Sequence, residues 1–378
     1  MKSIQFIDLY YPNIDGVIHT VDRYATHMNA AVVAPTIEKG YQDKDTYPIV
    51  RTRSARIPFI GYGWPMPEPS KKLREFVDGF GAEIFHVHSP FMLGHYAVKR
   101  AKKLGIPVVS TFHSKYYDDF KRVTGSALLA RIGVRYIVNF YNKCDVVWAC
   151  SEGTAQTLRE YGYKGEIAVM PNGADPFISP DFAAARAAAM ERYQIPKDKK
   201  ILLFVGQMVW QKNLKLVLDT LKTLDDSYRL LLVGTGYYEK QIHAYAREIG
   251  VMDRCIFTGR VSDRMALEGL FLCGDLFFFP SLYDNAPLVL REAASAGVPA
   301  LLVQGSNAAE CVIDNENGYL AEESVGAMSA RIGEIFKDRD GMKEVGARAA
   351  QTIPVPWEKL AGLVEEKYAA IVECHGRK

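Results

Sequence analysis

The chain has 378 residues, 48% of them hydrophobic and 24% charged, with 46 Lys+Arg against 44 Asp+Glu. That length holds two or three domains of ordinary globular composition, which excludes a peptide hormone, a disulfide miniprotein and a disordered chain. Charge is unevenly spread: residues 1–178 carry 22 basic and 17 acidic side chains (+5) and the remainder 24 and 27 (−3), an excess that suits an anionic surface in the first half but is too small for nucleic acid.

In chain order, a strand is expected at Ser3 to Leu9, a turn at residues 11–16 and a helix at Val17 to Met28, where Val17, Val21, Tyr24 and Met28 share a face. Short apolar runs follow at Ala31 to Ala34, Ile84 to Val87, Val108 to Phe112 and Val146 to Ala149, with helices at Ser70 to Phe80 and Gly94 to Leu104. No apolar run approaches the roughly 18 residues of a spanning helix, and Asp8 breaks the opening segment before a signal-type core develops, so a cytoplasmic location is expected. The six cysteines are too sparse for a disulfide framework, form no Cys-x-x-Cys pair and are expected to be mostly small buried apolar residues.

After the turn at Asn172 and Gly173, a polar, alanine-rich stretch joins a second alternation, with strands at Ile201 to Val205, Leu230 to Val233, Cys255 to Phe257, Leu276 to Phe279 and Ala300 to Val303. Strands alternating with helices predict two α/β, doubly wound Rossmann-like domains, joined near residues 176–195 and facing each other across a cleft at the carboxyl ends of their sheets. Trp357 to Val372 is periodic and reads as a terminal amphipathic helix.

The segment from Asp275 to Val303 carries the most chemistry. It predicts a strand, a loop at residues 280–286 and a helix from Pro287 to Ala296. Pro287 suits a first helical turn because it has no amide hydrogen to lose, and the amides after it offer an anion site at the strand's carboxyl end. Asp284 and Glu292, eight residues apart, can accept hydrogen bonds from hydroxyls at two ends of one ligand while those amides meet its phosphate. Alone, the block also reads as an ordinary βαβ unit with two solvated acids.

The run from Pro280 to Ala293 is similar to the signature of retaining GT-B glycosyltransferases of family 4, whose usual form has two glutamates eight apart. The resemblance implies that Glu292 binds the nucleotide ribose and that Asp284, with the backbone of Asn285, Ala286, Pro287 and Leu288, holds the donor sugar. Asp284 departs from the family, being one methylene shorter. Gly206, Gln207, Met208 and Lys212 occupy the place where the family has a glycine, an arginine and a lysine that neutralise the diphosphate. Lys212 fits that role, whereas Gln207 carries no charge. Gly16 matches the glycine that lets the first loop approach the donor, and His113, closing its strand, matches a histidine that contacts the transferred sugar. By the same resemblance the last helix (residues 357–378) crosses back to complete an acceptor domain at 1–178, with a donor domain at 195–355.

His86 and His88 share a strand face, a spacing that suits metal ligands, but no third ligand is evident. The run His88, Ser89, Pro90, Phe91, Met92, Leu93, Gly94 looks like the acceptor-side loop of bacterial enzymes that glycosylate diacylglycerol, which implies acceptor binding by His88 and Ser89. Asp43, Lys44, Asp45 resembles a metal motif of another glycosyltransferase fold but lies in a polar connection. Gly234, Thr235, Gly236 reads as a tight turn or a weak phosphate loop. Two stretches mix basic and aromatic residues: Arg51, Arg53 and Arg56 before Ile57, Phe59, Ile60, Tyr62, Trp64 and Met66; and Lys121, Arg122, Arg131 and Arg135 among Tyr116, Tyr117, Phe120, Tyr136, Phe140 and Tyr141. Either can rest on an anionic bilayer, or be a helix with one packed and one solvated face.

The expectation is a metal-independent hexosyltransferase without a cofactor. Its donor would be a nucleoside diphosphate sugar, with a UDP-hexose favoured, and its acceptor a lipid or carbohydrate at the inner face of the plasma membrane. An impaired sugar-nucleotide binding protein and a GT-B epimerase or phosphorylase are the alternatives.

Overall fold

The computed structural model describes residues 1–13, 15–38, 40–43, 46–56, 63–68 and 70–377. Two compact units divide the chain: Met1–Asn172 with Trp357–Lys378, and Gly173–Pro356.

The first unit contains β1 (Ser3–Phe6), β2 (Ala30–Pro35), β3 (Ile49–Thr52), a small antiparallel pair β4 (Ser54–Arg56) and β5 (Gly63–Pro65), then β6 (Ile84–Val87), β7 (Val108–Phe112), β8 (Val146–Ala149) and β9 (Ile167–Val169). Its main sheet has the order β3-β2-β1-β6-β7-β8-β9 with every pairing parallel. β1, β2, β6 and β7 are buried along their whole length, as strands covered on both faces must be, and therefore read as continuous apolar runs. The helices are α1 (Gly16–His27), α2 (Lys71–Gly79), α3 (Met92–Leu104), α4 (Tyr116–Thr124), α5 (Ala127–Tyr141) and α6 (Glu152–Glu160). Local chemistry sets their ends: the Asp15 carboxylate accepts from the Ile18 amide at the start of α1 (2.8 Å), and Gly105 closes α3 in the left-handed region at φ 68°.

The second unit opens with α7 (Phe182–Arg192) and builds β10 (Lys200–Val205), β11 (Tyr228–Val233), β12 (Cys255–Gly259), β13 (Leu276–Phe278), β14 (Ala300–Val303) and β15 (Tyr319–Ala321) into a parallel sheet of order β12-β11-β10-β13-β14-β15. Its helices are α8 (Leu214–Thr223), α9 (Glu239–Glu248), α10 (Arg264–Cys273), α11 (Leu288–Ser295), α12 (Val325–Ile335) and α13 (Arg339–Thr352). The stretch expected to join two domains thus carries α7, which packs on α10 so closely that a Cβ on Gly269 would meet the Ala185 carbonyl oxygen at 2.5 Å. The final helix, α14 (Trp357–Gly376), belongs to the first unit, where Trp357 and Tyr368 are buried and Tyr368 stacks on Trp148 at 5.7 Å. Both sheets are two-sided α/β layers of the Rossmann type.

Several boundaries differ from the sequence reading. β1 stops at Phe6 rather than Leu9, and α11 starts at Leu288, with Pro287 outside it as the capping residue (φ −67°, ψ 128°). Of the cysteines, Cys150 and Cys273 are buried, Cys144 and Cys255 are half-buried, and Cys311 and Cys374 are exposed, so most are not core residues. Lys44, Asp45, Ile57, Phe59, Ile60 and Tyr62 lie outside the described residues, while Asp43 pairs with Arg51 (2.8 Å).

Candidate active site

In the second unit the carboxyl ends of β10, β11 and β13 supply the site. Gly206 has φ +157° and Gly234 φ +132°, and a Cβ on Gly234 would lie 2.1 Å from the Gly206 carbonyl oxygen. The Met208 amide donates to the Thr235 carbonyl (3.0 Å), and a Cβ on Gly236 would sit 2.5 Å from the Met208 nitrogen. The Gly-Thr-Gly turn is therefore the surface against which the 206–208 backbone packs, and glycine is required by contact. Gln207 is exposed on this loop.

The short 3₁₀ turn Trp210–Lys212 then directs Lys212 toward the loop after β13. Its Nζ donates to both carboxylate oxygens of Asp284, at 2.6 and 2.7 Å, and sits 5.1 Å from the centre of the Phe279 ring. Ser281, fully buried, donates to Asp284 Oδ2 (2.6 Å) and accepts from the Asp284 amide (3.3 Å). Asn285 accepts from Asn307 Nδ2 (2.9 Å). These bonds fix the residue 281–287 loop just ahead of α11, whose N-cap residue, Pro287, makes no side-chain cap, and the dipole and amides of Leu288 onward give that end of the helix a positive character.

Glu292, within α11, accepts from Arg264 Nη1 (2.7 Å). The same guanidinium donates through Nε to Glu268 (3.0 Å), and the fully buried Glu268 accepts from the Ile178 and Ser179 amides (2.9 and 3.0 Å). Burial disfavours the Arg264 charge, but Glu292, Asp175 and Glu268 outweigh it and hold its pKa above the ordinary value. Glu292 is thereby aimed by a chain of charge-assisted bonds that runs back to the start of the unit. Sequence reasoning missed Arg264, Glu268, Ser281 and Asn307. The spacing of Arg264 and Glu268, i to i+4 behind the capping Asp263, was the one local signal available.

In the first unit Gly16 is the first residue of α1. His113 follows β7, and its Nε2 lies 3.1 Å from His88 Nδ1. Burial pushes the His113 pKa down to about 4 and holds His86 and His88 well below the ordinary value. His86 spends its ring nitrogens on Tyr368 (2.6 Å) and Thr111 (2.7 Å). Ser89 accepts from the Asp8 amide (3.2 Å), and Asp8 caps α3 by accepting from the Leu93 amide (2.9 Å). Burial, opposed by the amides of residues 91–94, raises the Asp8 pKa to about 7. The glycine of the His-Ser-Pro-Phe run is sterically required, since a Cβ on Gly94 would meet the Ser89 carbonyl oxygen at 2.4 Å.

Helices α4 and α5 separate the two readings of their basic and aromatic residues. Tyr116, Phe140 and Tyr141 are core, whereas Val123, Leu128, Leu129, Ile132 and Tyr136 are exposed, at 58, 66, 50, 52 and 44%, among exposed Lys121, Arg122, Arg131 and Arg135. In the earlier stretch Trp64 and Met66 are exposed. No helix among the described residues is long and apolar enough to cross a membrane.

Residues 185–352 match the family model for glycosyl transferases group 1, and residues 15–176 match that for glycosyltransferase family 4. The chain is 26% identical over 317 residues to the alpha-monoglucosyldiacylglycerol synthase of Streptococcus pneumoniae, covering 80% of this chain and 70% of that protein. It is 26% identical over 396 residues to a GDP-mannose-dependent alpha-mannosyltransferase of Corynebacterium glutamicum, covering 100% of this chain and 91% of the relative. Among solved structures, Anabaena HepE in complex with UDP and glucose superposes with a TM-score of 0.77 at 16% identity, over 98% of this chain and 100% of that one.

Proposed function

The chain belongs to glycosyltransferase family 4, with the GT-B fold and a nucleotide-sugar donor, and from that premise we propose that it moves a hexose from a UDP-sugar to a hydroxyl of a membrane lipid of diacylglycerol type, with retention at the anomeric carbon. The observation that carries the reading is the Lys212–Asp284 pair in the loop that leads into α11. A lysine, a carboxylate and helix amides gathered there match what a sugar diphosphate needs: cationic and amide donors for the phosphates, and an acceptor for the sugar hydroxyls.

In this reading the donor exchanges partners within the pair. Lys212 turns to the diphosphate, and Asp284, still held by Ser281, accepts from a sugar hydroxyl. Glu292, aimed by Arg264, accepts from the ribose hydroxyls. As the anomeric carbon–phosphate oxygen bond breaks, negative charge gathers on the leaving diphosphate, and Lys212 with the first amides of α11 stabilises it without reorganising. The acceptor oxygen bonds to the same face of the carbon, and its proton passes to the departing phosphate oxygen. Charge compensation comes from the protein, so the reaction is assigned no divalent cation.

The lipid acceptor is supported by the exposed apolar and basic face of α4 and α5, because burial of Leu128, Leu129 and Ile132 in a headgroup layer and attraction of the arginines to anionic lipid act together. The protein is then peripheral at the inner face of the plasma membrane. The diacylglycerol-glucosylating relative names a matching acceptor class, while the mannosyltransferase names a different donor. Incubation with UDP-glucose, UDP-galactose or GDP-mannose and diacylglycerol vesicles, read by mass spectrometry, tests the assignment. A hexosyl lipid formed from a UDP-sugar supports it. A mannosyl product, or none, refutes the donor. One observation favours a second reading, a sugar-nucleotide binding protein of impaired activity: with Gln207 uncharged and Lys212 engaged by Asp284, less positive charge faces the phosphates. Donor binding in calorimetry without transfer to any acceptor would select it.

A further inference from the structure

Apart from the residues assigned to donor and acceptor, the first unit carries a basic pocket between α2 and α3. Its volume is about 170 Å³; Ser70 and Arg74 line it from the start of α2, and Tyr96, Lys99, Arg100 and Lys103 from α3. The four α3 residues are spaced i, i+3, i+4 and i+7, which places them on one face of the helix. An amphipathic helix ordinarily fills such a face with apolar side chains against its neighbour. Here three of the four are cations.

Nearby acids do not cancel these charges. Lys99 donates to Glu68 (2.9 Å), which also lines the pocket, and Arg100 pairs with Asp78 of α2. Arg74 and Lys103 form no ion pair among the described residues, so four cations against two carboxylates leave an excess of two positive charges. The Lys99 hydrogen bond, with the charges of Lys103 and Arg74 behind it, holds the Glu68 carboxyl below the usual carboxylate range. The hydroxyl of Tyr96 points to the same cluster. Tyr96 is 8% exposed, its ring lies 6.5 Å from that of Phe6 in the core, and its Oη is buried with no hydrogen-bond partner among the described residues. Burial raises its pKa, and the charges that act on it are those of Arg100, Asp78, Glu68 and Arg74. Buried hydroxyls are ordinarily hydrogen-bonded, so one left without a partner beside four cations marks a place for an oxygen-rich anion.

Guanidinium forks and ammonium groups both suit phosphate oxygens, and an excess of two charges matches the roughly −1.5 to −2 that a phosphate monoester carries near pH 7. Drug-sized ligands occupy about 300–1,000 Å³, so this pocket holds one phosphate group and the atoms next to it, not a second nucleotide sugar. We propose that the pocket between α2 and α3 binds the phosphate group of a phosphomonoester, held by Arg74, Lys99, Arg100 and Lys103 together with the Tyr96 hydroxyl. Binding draws the exposed side chains of Arg74 and Lys103 onto the phosphate and opens the hydroxyl to one of its oxygens. The phosphomonoester is either soluble or the head of a lipid, and the same side chains meet it in both cases. α3 also packs on α5, with the His95 ring 5.2 Å from those of Tyr136 and Phe140, so the pocket and the exposed apolar residues of α5 belong to one helix layer. The site stands whatever group the chain transfers.

The test is calorimetric titration of the full chain with glycerol phosphate and with inorganic phosphate, and sedimentation with phosphatidylcholine vesicles that contain phosphatidate. Binding of the soluble phosphates marks a free ligand, and binding of the phosphatidate vesicles alone marks a lipid head; either supports the site. In Arg74→Gln with Lys103→Gln the binding is expected to weaken about 10- to 100-fold, the worth of a charge-assisted hydrogen bond, and in Tyr96→Phe about fivefold. Lys71→Gln with Lys72→Gln removes the same charge from exposed positions of α2 that do not line the pocket, and is expected to leave binding within about twofold. No binding of any of the three probes overturns the proposal. So does a loss in the Lys71 and Lys72 variant equal to that in the Arg74 and Lys103 variant, which would reduce the effect to net charge, or binding untouched by Arg74→Gln with Lys103→Gln, which would put the phosphate elsewhere.

Discussion

Lys212 and Asp284 are joined through both carboxylate oxygens, at 2.6 and 2.7 Å, although 72 residues separate them in the chain. The pair is mostly shielded, with 12 and 17% side-chain exposure, so removing one partner leaves the other charge poorly solvated. Lys212→Ala is expected to lower kcat by about 100- to 1000-fold, the cost of losing one preorganised donor to the leaving group. A far-ultraviolet circular dichroism spectrum like that of the wild type, together with wild-type turnover, would remove Lys212 from the reaction.

Glu292→Ala is expected to raise the donor KM by about 10- to 100-fold, the worth of a charge-assisted hydrogen bond. Arg264→Lys keeps the charge but not the fork that spans Glu292 and Glu268, so a donor KM raised by about tenfold is expected, with vesicle binding unchanged. Steady-state kinetics on each variant separates these effects, and an unchanged KM in Arg264→Lys would show that Glu292 needs no such aiming.

Much of this arrangement was legible in the sequence, and the rest was not for identifiable reasons. The recurrence of apolar runs marked β6, β7, β8 and β14 at their observed bounds, because strands covered on both faces have no polar alternation. β9 (Ile167–Val169) was missed because it is a short edge strand with two of its three residues exposed. α7 read as a connection because alanine, the best helix former, leaves almost no apolar stripe to detect. Alternation placed His86 and His88 on one face. Which side chains complete the cluster depends on lateral strand order, so Gln5 and His113, which both meet His88, could not be assigned to it. Likewise the Arg264 bond to Glu292 spans 28 residues and leaves no periodic trace.

Two opposing titrations shape the pH dependence of stability. His113, lowered by burial from 6.5 to about 4, binds a proton more readily unfolded than folded, so its contribution is complete above 6.5 and is lost as pH falls toward 4. Asp8, raised by burial from 3.8 to about 7, holds its proton more tightly when folded, so its contribution is complete below 3.8 and is lost as pH rises through 7. Asp8→Asn removes the second effect and is expected to make thermal stability climb more steeply between pH 4 and 7. Equal slopes in melting curves of the two proteins would contradict the burial assigned to Asp8.

The proposed function puts membrane contact on α4 and α5. Leu128→Glu with Ile132→Glu removes two exposed apolar contacts, worth roughly 1.5–3 kcal/mol each when fully buried, and adds like charge against anionic lipid. Sedimentation with phosphatidylglycerol vesicles at low salt is expected for the wild type and lost in the double variant. Absence of wild-type binding at low salt would end the assignment.

In the proposed reaction, charge compensation comes from Lys212 and the α11 amides, so EDTA is expected to leave the transfer rate unchanged. A rate abolished by EDTA and restored by Mg²⁺ or Mn²⁺ would reverse this.

The most direct measurement is a crystal structure of the protein with a bound UDP-hexose. The account predicts the diphosphate at the amino end of α11, Lys212 turned away from Asp284 to meet it, and the ribose on Glu292. A donor bound elsewhere, or an intact Lys212–Asp284 pair with no phosphate beside it, would contradict the account.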